Sequence, residues 1–377
     1  MVAGLLVVAG CLGGGPPPPR PTQQCGLGFN SASYYQADFY FLGHADTGWI
    51  TADGFVPPVL PDGRAQLPDG RVVWWMSDTM TGSVGSGNSV PNPVNVRDST
   101  VVQGGGCLTP HLVTIPYSPS VWYWPGSAVV ADNTMLVFSD KVVPDSSHPY
   151  PYDWRVAGTS VTSFDLPSLQ RIGGPTDLPV LENQTGEIIP WGIRAFFNAG
   201  DSKVYLYGTT MHPTDYLPEP KAWLARAPAG QVTDQSQWEF FTDAPAPTDQ
   251  WSSSFTDAKP MEFTKNGGGT DNSPLAQLSV VPYGNRYLAG AFVWDTLSYD
   301  IKAWVSDTPW GPWEKQSTTT ATFQPRTSQQ IAYDAHIVNL PGASWTVVYS
   351  ANDPYSQNQD FTLYRGQFAA PNWLPSP

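Results

Sequence analysis

The chain has 377 residues and a formal net charge of −14, which argues against nucleic acid and anionic lipid surfaces as partners. Only 13 % of residues are charged, 41 % are hydrophobic, and 35 Gly and 39 Pro are spread along the chain. That balance excludes disorder and long helices and favours short strands joined by turns.

The chain opens on "MVAGLLVVAGCLGGGPPPPRP". An apolar run over residues 2–10 leads into "VAGC", which resembles a bacterial lipoprotein signal with Cys11 as the lipidated residue. The run is too short to span a bilayer, so any membrane association is expected through the lipid alone. The Gly/Pro stretch behind it reads as a tether. Residues 1–24 are therefore taken as signal and tether, and 25–377 as one exported domain. The two remaining cysteines, Cys25 and Cys107, are expected to form a disulfide in that oxidising setting.

Five aromatic-rich strands follow in chain order, each behind a Gly, Asn or Asp turn. They lie within "PDGRVVWWMSDT", "ADNTMLVFSDK", "AGDSKVYLYGTT", "YGNRYLAGAFVWD" and "PGASWTVVYSAND". Their starts are roughly 60 to 80 residues apart, with room for partner strands and no sustained helical period between them. One antiparallel sheet per repeat predicts an all-β fold, a five-bladed β-propeller. These five strands are expected to be innermost, delivering Asp78, Asp140, Thr209, Asp295 and Asn352 towards a common axis.

Asp78 ends a strand, "VVWWM", that is apolar on both faces, and Asp53 precedes it in "TADGF". A hairpin between them would bring both acids to one rim. Two facing carboxyl groups, one protonated and one ionised, are what breaking a glycosidic bond requires. Asp before Gly is also a plain turn former, so the residues alone leave both meanings open.

"ADTGWITADG", "LPDGRVVWWMSDTMTG", "RDSTVVQGGGC" and "WYWPGSAVVADNTMLVF", with "KAWLARAPAGQVTDQSQWEFF" further on, resemble the DUF4185 family. That family includes the endo-D-arabinanases of glycoside hydrolase family 183, five-bladed propellers acting on cell-wall arabinan. The resemblance implies Asp53 and Asp78 as the catalytic pair, Asp46 as a further acid, and arabinan as the polysaccharide substrate.

Trp124 and Trp191 are candidates for stacking on sugar rings. His111, His336 and Asp334 are candidates for binding substrate or holding a catalytic acid. No His/Cys spacing or calcium loop calls for a metal, and no phosphate loop or nucleophile elbow appears, so no cofactor is expected. A monomer is expected. The alternatives are a catalytically silent carbohydrate-binding propeller and a structural lipoprotein that binds envelope proteins.

Overall fold

The computed structural model describes residues 24–25, 29–45, 47–112, 114–179, 181–182, 188–210, 221–244, 250–264, 275–295, 298–315, 319–372 and 374. It is nearly all β, with 51 % strand and 9 % helix. The expected lipidation residue Cys11 and the expected acid Asp46 lie outside the described residues.

Sheet one runs from β1 (Val72–Met76) through β2 (Ser99–Gly104) and β3 (Cys107–Leu112) to the short strand Gln24–Cys25. Sheet two contains β4 (Trp122–Ala131), β5 (Thr134–Pro144) and β6 (Trp154–Asp165). Sheet three begins β7 (Arg194–Asn198), β8 (Lys203–Thr209), β9 (Ala222–Pro228). Sheet four begins β10 (Leu275–Tyr283), β11 (Arg286–Asp295), β12 (Ser298–Ser306). Sheet five is β13 (Ile331–Leu340), β14 (Ser344–Asn352), β15 (Arg365–Ala369).

Each of these sheets packs on the next through its own apolar core. Trp75 and Val73 pack with Ala128, Val130 and Met135 between sheets one and two. Val129 and Phe138 meet Trp191 and Leu206 between two and three. Tyr205 and Tyr207 meet Val280 and Trp304 between three and four. Val281 and Phe292 meet Ile337 and Val347 between four and five. Trp74 and Val72 meet Val338, Val348 and Phe368 and return the series to sheet one. "VVWWM" is apolar on both faces because Trp74 faces one neighbouring sheet and Trp75 the other.

The innermost strands differ from expectation. β4, β7, β10 and β13 touch one another in succession, and residues 56–59 take the corresponding place beside β1 and β4. Side chains of Val56, Ser127, Arg194, Ser279 and His336 line a shared axial cavity. The aromatic-rich β5, β8, β11 and β14 are second strands, hydrogen-bonded on both edges. A second strand is buried on both faces and paired on both sides, so it carries the strongest apolar signal. The strand that borders the axis carries polar residues and reads more weakly.

One helix, α1 (Ala32–Gly43), was not expected. Ser31 caps it, and Ala32, Tyr35, Phe39 and Leu42 form its buried stripe at the helical period. Exposed Tyr34 and Phe41 add apolar residues to the opposite face and mask that period. Phe39 and Tyr35 stack on Phe368 and meet Trp74 edge-on, sealing the seam between sheets five and one. Cys25 and Cys107 are joined by a disulfide across the outer edge of sheet one. Among the described residues, no helix is long and apolar enough to cross a membrane.

Candidate active site

Asp53 and Asp78 sit on opposite arms of one hairpin. The Val56 and Trp75 backbones bond reciprocally at 2.8 and 2.9 Å; further along, Ser77 N–H donates to the Asp53 carbonyl and Asp53 N–H to that of Asp78. Between these pairings lies Gly54, whose φ is +64° and whose position leaves no room for a side chain, since a Cβ there would lie 2.4 Å from Ser77 Oγ. The Asp-Gly dipeptide therefore has a backbone reason for its glycine. The intervening "LPDGR" copies fold identically: Leu60 and Leu67 N–H donate to the carbonyls of Arg64 and Arg71, and each Asp pairs with the Arg two residues on.

The environments of the two acids differ. Tyr333 donates its hydroxyl to Asp53 Oδ2 at 2.5 Å, while Asp53 Oδ1 is buried without a hydrogen-bond partner. Burial, then the charge of Asp78, pushes the Asp53 carboxyl well above the usual carboxylate range, with the Tyr333 bond opposing the rise. Asp78 accepts from Arg97 at 3.2 Å on both oxygens and from Trp124 Nε1 at 3.1 Å. Burial leaves Asp78 raised too, with Arg97 and Trp124 opposing the rise. Tyr364 donates to the Asp78 backbone carbonyl. Burial and the nearby carboxylates raise both tyrosines well above their usual range, so they remain hydrogen-bond donors.

A second buried cluster crosses the axis. Arg194 on β7 pairs with Asp334 on β13 and donates to the carbonyls of Gly126 and Ile193 at 2.7 Å. Asp334 has φ +59°, at a register shift in β13 between Tyr333 and His336. Burial alone would raise Asp334, but Arg194 and His336 overcome it and hold the acid well below its ordinary value. Burial and Arg194 lower His336, whose Nε2 lies 3.5 Å from Asp334 Oδ1. Asp140, opposite Trp124 in the sheet, is pushed by burial to about 7.

Of the residues singled out from sequence, the structure brings Asp53, Asp78 and Trp124 into one hydrogen-bonded group, with the charge of Asp334 felt at Asp53, while His336 lines the axial cavity. It does not bring two others. Trp191 is fully buried against Trp238 and Phe240 and serves the core between sheets two and three. His111 is exposed on β3, two strands out from β1. Its Pro-containing strand begins the outer edge and does not enter the axis. Tyr333, Tyr364, Arg97 and Arg194 were not singled out, although Tyr333 adjoins Asp334 and Arg97 adjoins the "DSTVVQ" motif. Among the described residues, no group of three His, Cys, Asp or Glu side chains could hold a metal ion.

The chain belongs to the DUF5005 family, a domain of unknown function, whose model matches residues 36–376. That match overturns the resemblance to DUF4185 and to the family 183 endo-D-arabinanases. The shared motifs are turn-and-strand signatures: "LPDGR" closes the same turn twice within this one chain. No curated protein matches by sequence. Among solved structures, a Bacteroides ovatus ATCC 8483 protein provisionally described as a hydrolase is 19 % identical. The alignment covers 88 % of each chain, with a TM-score of 0.59, and shows a shared fold. A GH43_1 enzyme from Xanthomonas citri, complexed with xylotriose, is 14 % identical over 89 % of this chain and 93 % of its own, at a TM-score of 0.46. An inulosucrase from Halalkalicoccus jeotgali, bound to kestose, is 14 % identical over 86 % and 91 %, at 0.49.

Proposed function

We propose that this DUF5005 protein is a five-bladed propeller that hydrolyses glycosidic bonds in a polysaccharide, with Asp53 and Asp78 as its carboxyl pair. The supporting observation is the asymmetry between two acids held by one hairpin. Asp53 is kept protonated by burial and by its neighbour's charge, and its unpartnered Oδ1 can carry the proton needed by a leaving oxygen. Asp78, facing Arg97 and the Trp124 indole, is the one suited to ionise and to activate water or attack carbon. Trp124 offers an aromatic surface beside that carboxylate, suited to a neutral sugar ring.

Arabinan as the substrate rested on the overturned resemblance, so the proposal stops at the class of neutral glycans. Export with lipidation at Cys11 belongs to the same proposal; the Cys25–Cys107 disulfide favours an oxidising compartment. Incubation with arabinan, arabinogalactan, xylan and fructan, with products separated by size, tests the activity. Release of shorter chains by the wild type and its loss in Asp53→Asn and Asp78→Asn is the expected result. A wild type that binds a glycan tightly without shortening any would make the protein a carbohydrate-binding module instead.

A further inference from the structure

Sheet two extends past the carboxyl pair. Asp140 lies opposite Trp124, and β5 continues four residues beyond it to Pro144, whose partner across the sheet is Trp154. At about 3.4 Å per residue, the β5–β6 hairpin extends roughly 14 Å beyond Asp140. The Trp154 ring meets the Trp124 ring edge-on with centroids 4.6 Å apart, and its Nε1 donates to the Pro151 carbonyl at 3.1 Å. Its orientation is thus set before any ligand arrives. Beyond it, the connection "DSSHPYPYD" presents Tyr150 and Tyr152 at 68 % and 40 % exposure.

Large aromatic side chains are normally spent on the core, and this protein buries most of its own. Here two exposed tyrosines follow directly from a tryptophan pair whose inner member donates a hydrogen bond to Asp78. We propose that Trp124, Trp154, Tyr150 and Tyr152 form a subsite for sugar rings beyond the bond that is cut, so that the ligand is a glycan chain rather than a single-sugar glycoside. The occupant follows from continuity. Whatever bond reaches Asp78 must run along Trp124, and half-exposed aromatic faces of this kind suit uncharged pyranose or furanose rings. The subsite rests on the glycosidase reading of the Asp53–Asp78 pair and narrows it to polymeric substrates.

Binding can be followed by tryptophan fluorescence in an Asp53→Asn background, using linear arabino- and xylo-oligosaccharides of two to six sugars. Affinity is expected to rise with chain length. In Tyr150→Ala/Tyr152→Ala, binding of the longest chains should weaken roughly tenfold, the scale of uncovering part of an aromatic face, with the disaccharide affected much less. An unchanged circular dichroism spectrum and denaturant midpoint in the double variant separate recognition from folding. Length dependence that survives in the double variant, or that never develops in the parent, overturns the subsite. Cleavage of short aryl glycosides by the wild type separates that failure from failure of the carboxyl pair itself. If the wild type neither cleaves nor binds any of these sugars, both readings fall.

Discussion

Tyr333 reaches Asp53 from the opposite end of the chain and donates its hydroxyl hydrogen to Oδ2 at 2.5 Å. This bond stabilises the ionised carboxyl, against the burial that raises it. Tyr333→Phe should therefore raise the Asp53 pKa further and make it a poorer proton donor. We expect turnover to fall roughly ten- to a hundredfold, as for a lost hydrogen bond to a charged group. The basic limb of the pH–rate profile should move upward. An unchanged profile with a reduced rate would mean that Tyr333 acts only in packing.

Asn at position 53 or 78 keeps the side-chain shape and removes the titratable group. Turnover should drop by about two to four orders of magnitude for either variant, the usual scale of a general acid or base. Circular dichroism should remain that of the wild type. Near-full activity in both would remove the catalytic assignment.

Arg97 places its guanidinium on both oxygens of Asp78 and over the Trp122 ring, 4.3 Å from its centroid. Arg97→Met leaves the burial of Asp78 uncompensated, so its pKa should rise. The acidic limb of the pH–rate profile should shift to higher pH, while the basic limb, set by Asp53, stays near its wild-type position. Movement of the basic limb alone would exchange the roles given to the two acids.

Asp140 provides a stability test. Its folded pKa is raised from 3.8 to about 7, so the fold disfavours its charged form. The associated stability is present below pH 3.8 and is lost as pH rises towards 7. Tm should decline across that window, and Asp140→Asn should flatten the decline, with its relative benefit greatest above pH 7. A wild-type and a variant curve running parallel from pH 4 to 8 would contradict the burial argument.

The disulfide closes a sequence separation of 82 residues. In the chain-entropy model this is worth roughly 4–5 kcal/mol. Cys107→Ser should lower the denaturant midpoint of the purified protein without abolishing its β-sheet spectrum. A midpoint equal to that of the wild type would show that the bond constrains little.

Much of this was legible in the sequence, because strands buried on both faces carry a dense aromatic signal. The hairpin joining Asp53 and Asp78 was legible too, since "VVWWM" and the preceding turns have unambiguous chemistry. The axis itself was misassigned by one strand. β7 and β13 bring Arg194, Asp334 and His336 to the axis, and their polar residues dilute the pattern that marks a strand. Trp191 misled for a related reason. A tryptophan packed between sheets and one beside a carboxylate look alike until partners are known. Tyr333 and Tyr364 acquire their roles from contacts across nearly the whole chain, which no local pattern encodes.

The acid pair is local, but what tunes it is not. Asp53 and Asp78 share one early hairpin, whereas Tyr333 and Tyr364 are separated from their partners by 280 and 286 positions. During synthesis the hairpin exists long before the strands that will complete its surroundings. Until sheet five docks, Asp53 lacks the Tyr333 hydroxyl and the Asp78 carbonyl lacks that of Tyr364. Competence is therefore acquired late, when the ring closes. A chain stopped short of β13 would keep the Arg97 and Trp124 contacts to Asp78 but lack the tyrosine that reaches Asp53, so the site is complete only when the two ends of the protein have met.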